Sequence, residues 1–217
     1  MVAELLGLDS TRAEQVNELL RPAPLADGRE PELRVVVSGL TWERYLAFDK
    51  ALGDDRAVPR CYFLDGDLEI MTTSNEHERV KTWIGDLLAD YFRFKRIRVA
   101  PRGQATMRAR LKAAGAEPDE SWCVGKEKKF PDLVLEIALT SGGLPKLEIY
   151  RRMRIPEVWL WRKNRLEIFV LNAKGAYEQK KTSALMPALD IHLLERCVAI
   201  TDWLDAVEEF SSALRGK

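Results

Sequence analysis

The stretch FPDLVLEIALT, residues 130–140, limits the folds open to this chain more than any other. In an extended strand successive side chains point to opposite faces, so Leu133, Leu135 and Ile137 line one side and Asp132, Val134, Glu136 and Ala138 the other. A strand this apolar on both faces belongs at the centre of a sheet, with other elements packed above and below it. The molecule must therefore be layered.

The rest of the chain supplies the layers. Between Glu76 and Lys95 the apolar positions Val80, Trp83, Ile84, Leu87, Leu88, Tyr91 and Phe92 recur in steps of three and four, and Ser74, Asn75 and Glu76 offer caps. That is one continuous helical face, packed on a core. Further helices are expected in TWERYLAFDKAL with Thr41 as N-cap, from about Leu144 to Met153 after Gly142 and Gly143, and in ITDWLDAVEEFSSAL. CYFL and DLEIM flank the hairpin signal Asp65-Gly66, and IRVAP, QATMRARL, SWCV, EVWLW and RLEIFVL read as strands, with a turn at Asn172 to Gly175. The expected fold class is α/β or α+β, a mixed β-sheet core flanked by helices. Residues 1–30, a helix over Ala3–Leu20 and the Pro/Gly-rich RPAPLADGREPE, are expected as an appendage to a domain over 31–217.

Composition removes several chemistries. Three cysteines (Cys61, Cys123, Cys197), far apart and never CxxC, argue against a disulfide framework or a zinc ribbon. Two histidines, His77 and His192, rule out HExxH chemistry and histidine-rich metal sites. No apolar run approaches the ~20 residues that cross a bilayer, and the N-terminus has no signal pattern. A cytoplasmic protein with no membrane partner is expected. With 34 basic and 34 acidic residues the chain has no global field for a polyanion, so nucleic-acid binding would need a local basic stripe.

Carboxylates and lysine are left to carry any catalysis. Glu136 is costly among Leu, Val and Ile unless it is paired or holds a cation. Asp119 precedes SWCV, where a neighbouring strand begins, and Lys146 and Tyr150 stand at i and i+4 on the helix after Gly143. Asp119 and Glu136 from adjacent strands would hold a hard divalent cation, with Lys146 reaching the same point, an arrangement suited to phosphodiester hydrolysis. A structural ion pair of Glu136, with Lys146 as its partner, explains the same residues, and on the residues alone both readings stand. Asp132 is excluded as a co-ligand, because four strand residues span roughly 13 Å.

Several segments together resemble the Uma2 family of predicted endonucleases, within the PD-(D/E)xK restriction-endonuclease-like superfamily: GLTWERYLAF, YFLDGDLEIMTTSNEHERV, GQATMRARL with EPDESWCVG, PDLVLEIALTSGGLPKLEIYRRMRIPEVWLW, and RLEIFVL, over roughly residues 39 to 195. The resemblance implies a restriction-endonuclease-like core with Mg²⁺ or Mn²⁺ at a D…E…K site. Asp119 then corresponds to the acid of the "PD" element and Glu136 to the (D/E), both as metal ligands. The chain departs from the superfamily pattern at Ala138, where lysine is expected, and the lysine role falls to Lys146. Catalytic Asp119, Glu136 and Lys146, accessory His77, Glu76 and Tyr150, and DNA as the nucleic-acid partner are what the resemblance implies. Basic clusters bracket the site in sequence, and Arg96, Arg98, Arg108, Lys128 and Lys129 are the expected backbone contacts. A homodimer is expected, as for nucleases that cut both strands. The rival reading is a non-catalytic nucleic-acid-binding or dimeric scaffold protein that keeps the fold. A small-molecule phosphohydrolase has no phosphate cradle in support, since GxGxxG and GxxxxGK[ST] are both absent.

Overall fold

The structure, a computed structural model, describes residues 32–53, 59–139 and 143–216; the helix expected over Ala3–Leu20 lies outside them. Strands β2 (Arg60–Leu64) and β3 (Asp67–Met71) form the hairpin signalled by Asp65-Gly66. Those two residues stand at φ 50° and 96°, the paired left-handed conformation whose twist matches the flanking strands. Strand β1 (Arg34–Val37) pairs with the free side of β3. QATMRARL is not one strand. It gives β5 (Met107–Ala109), then a 3₁₀ turn at Arg110–Lys112, and Ala113 at φ 45° returns the chain into β6 (Ala114–Ala116). The break falls where Leu111, 97% exposed, has no core to enter. The first sheet is antiparallel, in the order β1-β3-β2-β6-β5.

The second sheet has the order β11-β10-β9-β8-β7-β4, built from β4 (Val99–Pro101), β7 (Glu120–Val124), β8 (Leu133–Ile137), β9 (Glu157–Arg162), β10 (Arg165–Leu171) and β11 (Tyr177–Lys180). All its pairs are antiparallel except β8–β9, which is parallel. A parallel pair needs a crossover, and here it is the helix α3 (Lys146–Met153). Every residue of β8 is buried, as its composition requires. The other helices are α1 (Trp42–Leu52), α2 (Asn75–Lys95), α4 (Ile191–Val198) and α5 (Trp203–Leu214). The fold is α+β.

Caps fix where the helices begin. Thr41 Oγ1 accepts from the Arg44 amide at 3.3 Å, and Ser74 Oγ from the His77 amide at 3.2 Å. No periodicity in the sequence marks α4, whose eight residues are too few for a persistent period, although Asp190 caps it through the Leu193 amide at 3.0 Å.

Strand alternation sorts the core into layers. Leu133, Leu135 and Ile137 pack with Trp159, Trp161 and Trp122 against α2, α4 and α5. Val134, Val158 and Leu160, on the opposite face, pack with Ile149, Tyr150 and Met153 of α3 and with Tyr62, Leu64 and Met71 of the first sheet. Cys61, Phe63 and Leu68 turn the other way, onto Tyr45 of α1. Glu136 thus projects into the middle layer, between the two sheets.

Candidate active site

The β7–β8 register brings the two carboxylates together. Glu120 pairs with Leu135, so Asp119, one residue before β7, stands opposite Glu136 on the same face. Asp119 Oδ2 accepts from the Ile137 amide at 2.6 Å, tying it across to β8. Arg60 Nε lies 3.2 Å from Asp119 Oδ1, and His77 Nε2 lies 3.1 Å from Oδ2. Arg60 also donates to the Pro118 carbonyl at 2.9 Å and approaches Glu78 at 3.5 Å. Burial pushes the Asp119 carboxyl up, but His77 and Arg60 outweigh it and hold it below its ordinary value. Burial works against the imidazolium of His77, but Asp119 prevails and raises its pKa.

Glu136 is held differently. It is 4% exposed, and its oxygens accept from the phenols of Tyr62, at 3.0 Å, and Tyr150. Burial dominates and pushes its pKa up to about 7, although the nearby Lys146 charge opposes that rise. Among the described residues no basic side chain lies within ion-pairing distance of it. Both phenols are pushed well up by burial and by Glu136, so they remain donors.

Lys146 does not pair with Glu136. Its Nζ lies 3.3 Å from Glu69 Oε1 and over the Tyr62 ring. Glu69, opposite Tyr62 in the β2–β3 register and fully buried, also accepts from the Leu144 amide and lies 3.4 Å from Arg34 Nε. Burial lowers the Lys146 pKa, with Glu136, Glu69 and Asp119 opposing. The expected structural ion pair of Glu136 with Lys146 is therefore not found among the described residues, and Lys146 pairs with Glu69 instead.

The carboxylate pair stands between two clefts. Glu136 and Lys146 line one of about 620 Å³, together with Arg34, Arg162, Lys163 and Arg165. Asp119 and Arg60 line another of about 520 Å³, with Ser74, Glu78, Lys81 and Glu120. No group of three or more His, Cys, Asp or Glu suited to holding an ion occurs among the described residues. Two carboxylates are too few for a closed zinc site. They fit Mg²⁺ or Mn²⁺, hard cations that take one or two carboxylates and complete their shell with water and phosphate. Asp119 Oδ1, buried without a hydrogen bond although 3.2 Å from Arg60 Nε, and the Glu136 carboxylate, with no cation at ion-pairing distance among the described residues, are the groups such an ion would satisfy.

Of the residues singled out from sequence, Asp119, Glu136, Lys146, Tyr150 and His77 converge in the middle layer. Glu76 turns to Arg79 at 2.8 Å in the first turn of α2. The basic candidates sit elsewhere. Arg108 Nε donates to Asp49 at 2.7 Å, Lys128 pairs with Asp132 at 2.6 Å, and Lys129 lies over the Phe130 ring. Arg96 is the C-cap of α2, roughly 28 Å along the helix from His77 at 1.5 Å per residue, and Arg98 follows it. Arg60, Tyr62 and Glu69 escaped the sequence reading. Only Glu69 had a usable signal, a carboxylate between Leu68 and Ile70 in a strand, the same cue that singled out Glu136.

A protein-family model, Uma2, described as "Putative restriction endonuclease", matches residues 42–201. A search of curated proteins finds no match.

Proposed function

The chain belongs to the Uma2 family, and from that premise we propose that it is a divalent-metal-dependent endonuclease acting on DNA, with Asp119 and Glu136 as the metal ligands. One observation carries this reading: two carboxylates face each other across β7 and β8, and the buried one, Glu136, has phenol donors but no cation at ion-pairing distance among the described residues. A fold with no use for that charge would gain by replacing it with an apolar residue. When bound, Mg²⁺ or Mn²⁺ supplies Lewis acidity, neutralising phosphate charge and acidifying water.

The remaining work falls to side chains of this chain. Tyr62 and Tyr150 fix the Glu136 carboxylate in one orientation. Arg60, His77 and the Ile137 amide do the same for Asp119. Lys146, held by Glu69 at the wall of the Glu136 cleft, offers its ammonium to the negative charge that develops on phosphoryl oxygen. Glu69 touches no substrate in this scheme and positions Lys146.

The test is nicking of supercoiled DNA with Mg²⁺ or Mn²⁺, beside an EDTA control and Glu136→Gln. EDTA-sensitive nicking that disappears in the variant is expected. A variant that nicks at the wild-type rate ends the assignment of Glu136. One observation favours a second reading, a non-catalytic DNA-binding protein: Arg60 and His77 already balance the charge of Asp119. Calorimetric titration with Mn²⁺ separates the two, because only the enzyme requires binding that depends on Glu136.

A further inference from the structure

We propose that the tip of the β9–β10 hairpin, through Arg162, Lys163 and Arg165, grips the sugar–phosphate backbone of a DNA strand next to Glu136. The inference rests on the reading of that cleft as a phosphodiester site, and it gives the site its substrate contacts. Three independent features of the hairpin support it.

The first is where its charges point. Arg162, Lys163 and Arg165 line the same cleft as Glu136 and Lys146, with Arg34 of β1 also on its wall. Among the described residues these five cations meet four carboxylates, Glu136 and Glu167 on the cleft wall, Glu69 beside Arg34 and Lys146, and Glu195 beside Arg165, which leaves the cleft net positive in a chain whose overall charge balances to zero. The cleft is therefore a local positive field in a neutral molecule, which is what a polyanion senses.

The second is that the hairpin breaks the local rules for its own stability. Arg162 pairs with Arg165 across a two-residue turn, and Lys163 and Asn164 stand at φ 49° and 58°. Such turns favour Asn-Gly or Asp-Gly, and the β2–β3 hairpin of this chain uses Asp65-Gly66. Lysine in the left-handed region is disfavoured, and like charges directly opposite each other in a ladder are destabilising. Local rules broken together at one turn are expected at functional or strained sites.

The third is how little the protein itself asks of these cations. Among the described residues Lys163 has no carboxylate within ion-pairing distance. Arg162 comes no nearer to Glu167 than 3.8 Å. Arg165 is held by Glu195 at 2.7 Å, yet its side chain is 70% exposed. Glu136 pairs with Leu160, and Arg162 follows two residues later on the same face, so the two Cα atoms lie about 8 Å apart by strand geometry. A guanidinium there reaches a phosphate beside one held at Glu136. Arg96 and Arg98, at the far end of α2, cannot.

Fluorescence anisotropy with a labelled 30-nucleotide DNA, as a single strand and as a duplex, tests this at several salt concentrations. Glu136→Gln protein in EDTA serves as the parent, so binding is read without cleavage. Adding Arg162→Gln and Lys163→Gln, both at exposed positions, should lower the slope of log K against log salt by about 1.4 for the single strand or about 1.8 for the duplex. Binding at 0.1 M salt should weaken roughly 25- to 60-fold. Melting curves check that the variant remains folded, and Arg165→Gln should deepen the loss. An unchanged slope and affinity, a parent that does not bind either probe, or a loss that follows Arg96→Gln and Arg98→Gln instead overturns the proposal. Nicking by the wild-type protein is scored separately. Hairpin-dependent binding without nicking removes the catalytic reading and leaves the grip. Nicking with hairpin-independent binding removes the grip and leaves the catalytic reading.

Discussion

In metal-free protein, Glu136→Gln should stabilise the fold at neutral and alkaline pH. The Glu136 carboxyl has an ordinary pKa of 4.5, and burial pushes it up to about 7. Because the folded-state value is raised, the contribution of this group is fully present below about 4.5, declines as pH rises through about 7, and is absent above. A shift of this size corresponds to about 3 kcal/mol between the two limits, at 1.36 kcal/mol per pKa unit. Gln removes the charge but fits the site less well: its carbonyl accepts from one of Tyr62 and Tyr150, while its amide group faces the other, at a cost of about 1 kcal/mol. The variant should therefore gain about 2 kcal/mol at pH 8 and lose about 1 kcal/mol at pH 4. Urea unfolding in EDTA at the two pH values measures both, and a melting shift of about 4–8 °C accompanies the gain at pH 8. Adding Mn²⁺ should then stabilise the wild type by about 3 kcal/mol at a hundred times its Kd and leave the variant unmoved. A variant no more stable than wild type at pH 8, with the same pH dependence, would refute the argument that the burial of the Glu136 charge outweighs Lys146 and the two phenols.

Arg60→Met leaves Asp119 buried without its guanidinium, and urea unfolding should show a loss of about 3–5 kcal/mol; a loss under 1 kcal/mol would mean that His77 and the Ile137 amide suffice. Glu69→Gln releases Lys146 from its anchor without touching Glu136, so nicking should slow by about 10- to 100-fold while Mn²⁺ affinity, read by titration, stays within a few fold. Glu195 is pushed up by burial, but the Leu166 amide, Arg165 and His192 outweigh that and hold its pKa low. Its stabilisation is thus present above the unfolded carboxyl value and lost as pH falls through the folded one. Glu195→Gln should flatten the acid limb of the stability curve, and an acid limb identical to wild type would show that the carboxylate does nothing there.

The sequence by itself determined the layered plan and singled out Glu136 and Asp119, the two carboxylates that the β7–β8 register sets opposite each other. The two-sided apolar β8 had to be central, the 3.6-residue period of α2 had to face a core, and Asp65-Gly66 had to turn a hairpin; each is a local pattern that tertiary contacts reinforce. Glu136 was legible for the same reason, since a carboxylate among Leu, Val and Ile needs an explanation wherever the strand lies. The tertiary structure alone decided which groups surround it. Arg60, Tyr62 and Glu69 come from a different sheet, and as single residues in strands they look like any others. The acid partner of Lys146, Glu69, lies 77 positions upstream and meets it only because α3 crosses between the two sheets. The basic residues follow the same division. Arg96, Arg98, Arg108, Lys128 and Lys129 stand near the site in sequence, but a rigid helix carries the first two away and Asp49 and Asp132 hold Arg108 and Lys128. The hairpin at Arg162 to Arg165 arrives beside Glu136 through the parallel β8–β9 pairing, a register no local pattern encodes. Periodicity and turn chemistry act over a few residues and can be read in order, whereas a site's electrostatics depend on distances in space that only the packed chain sets.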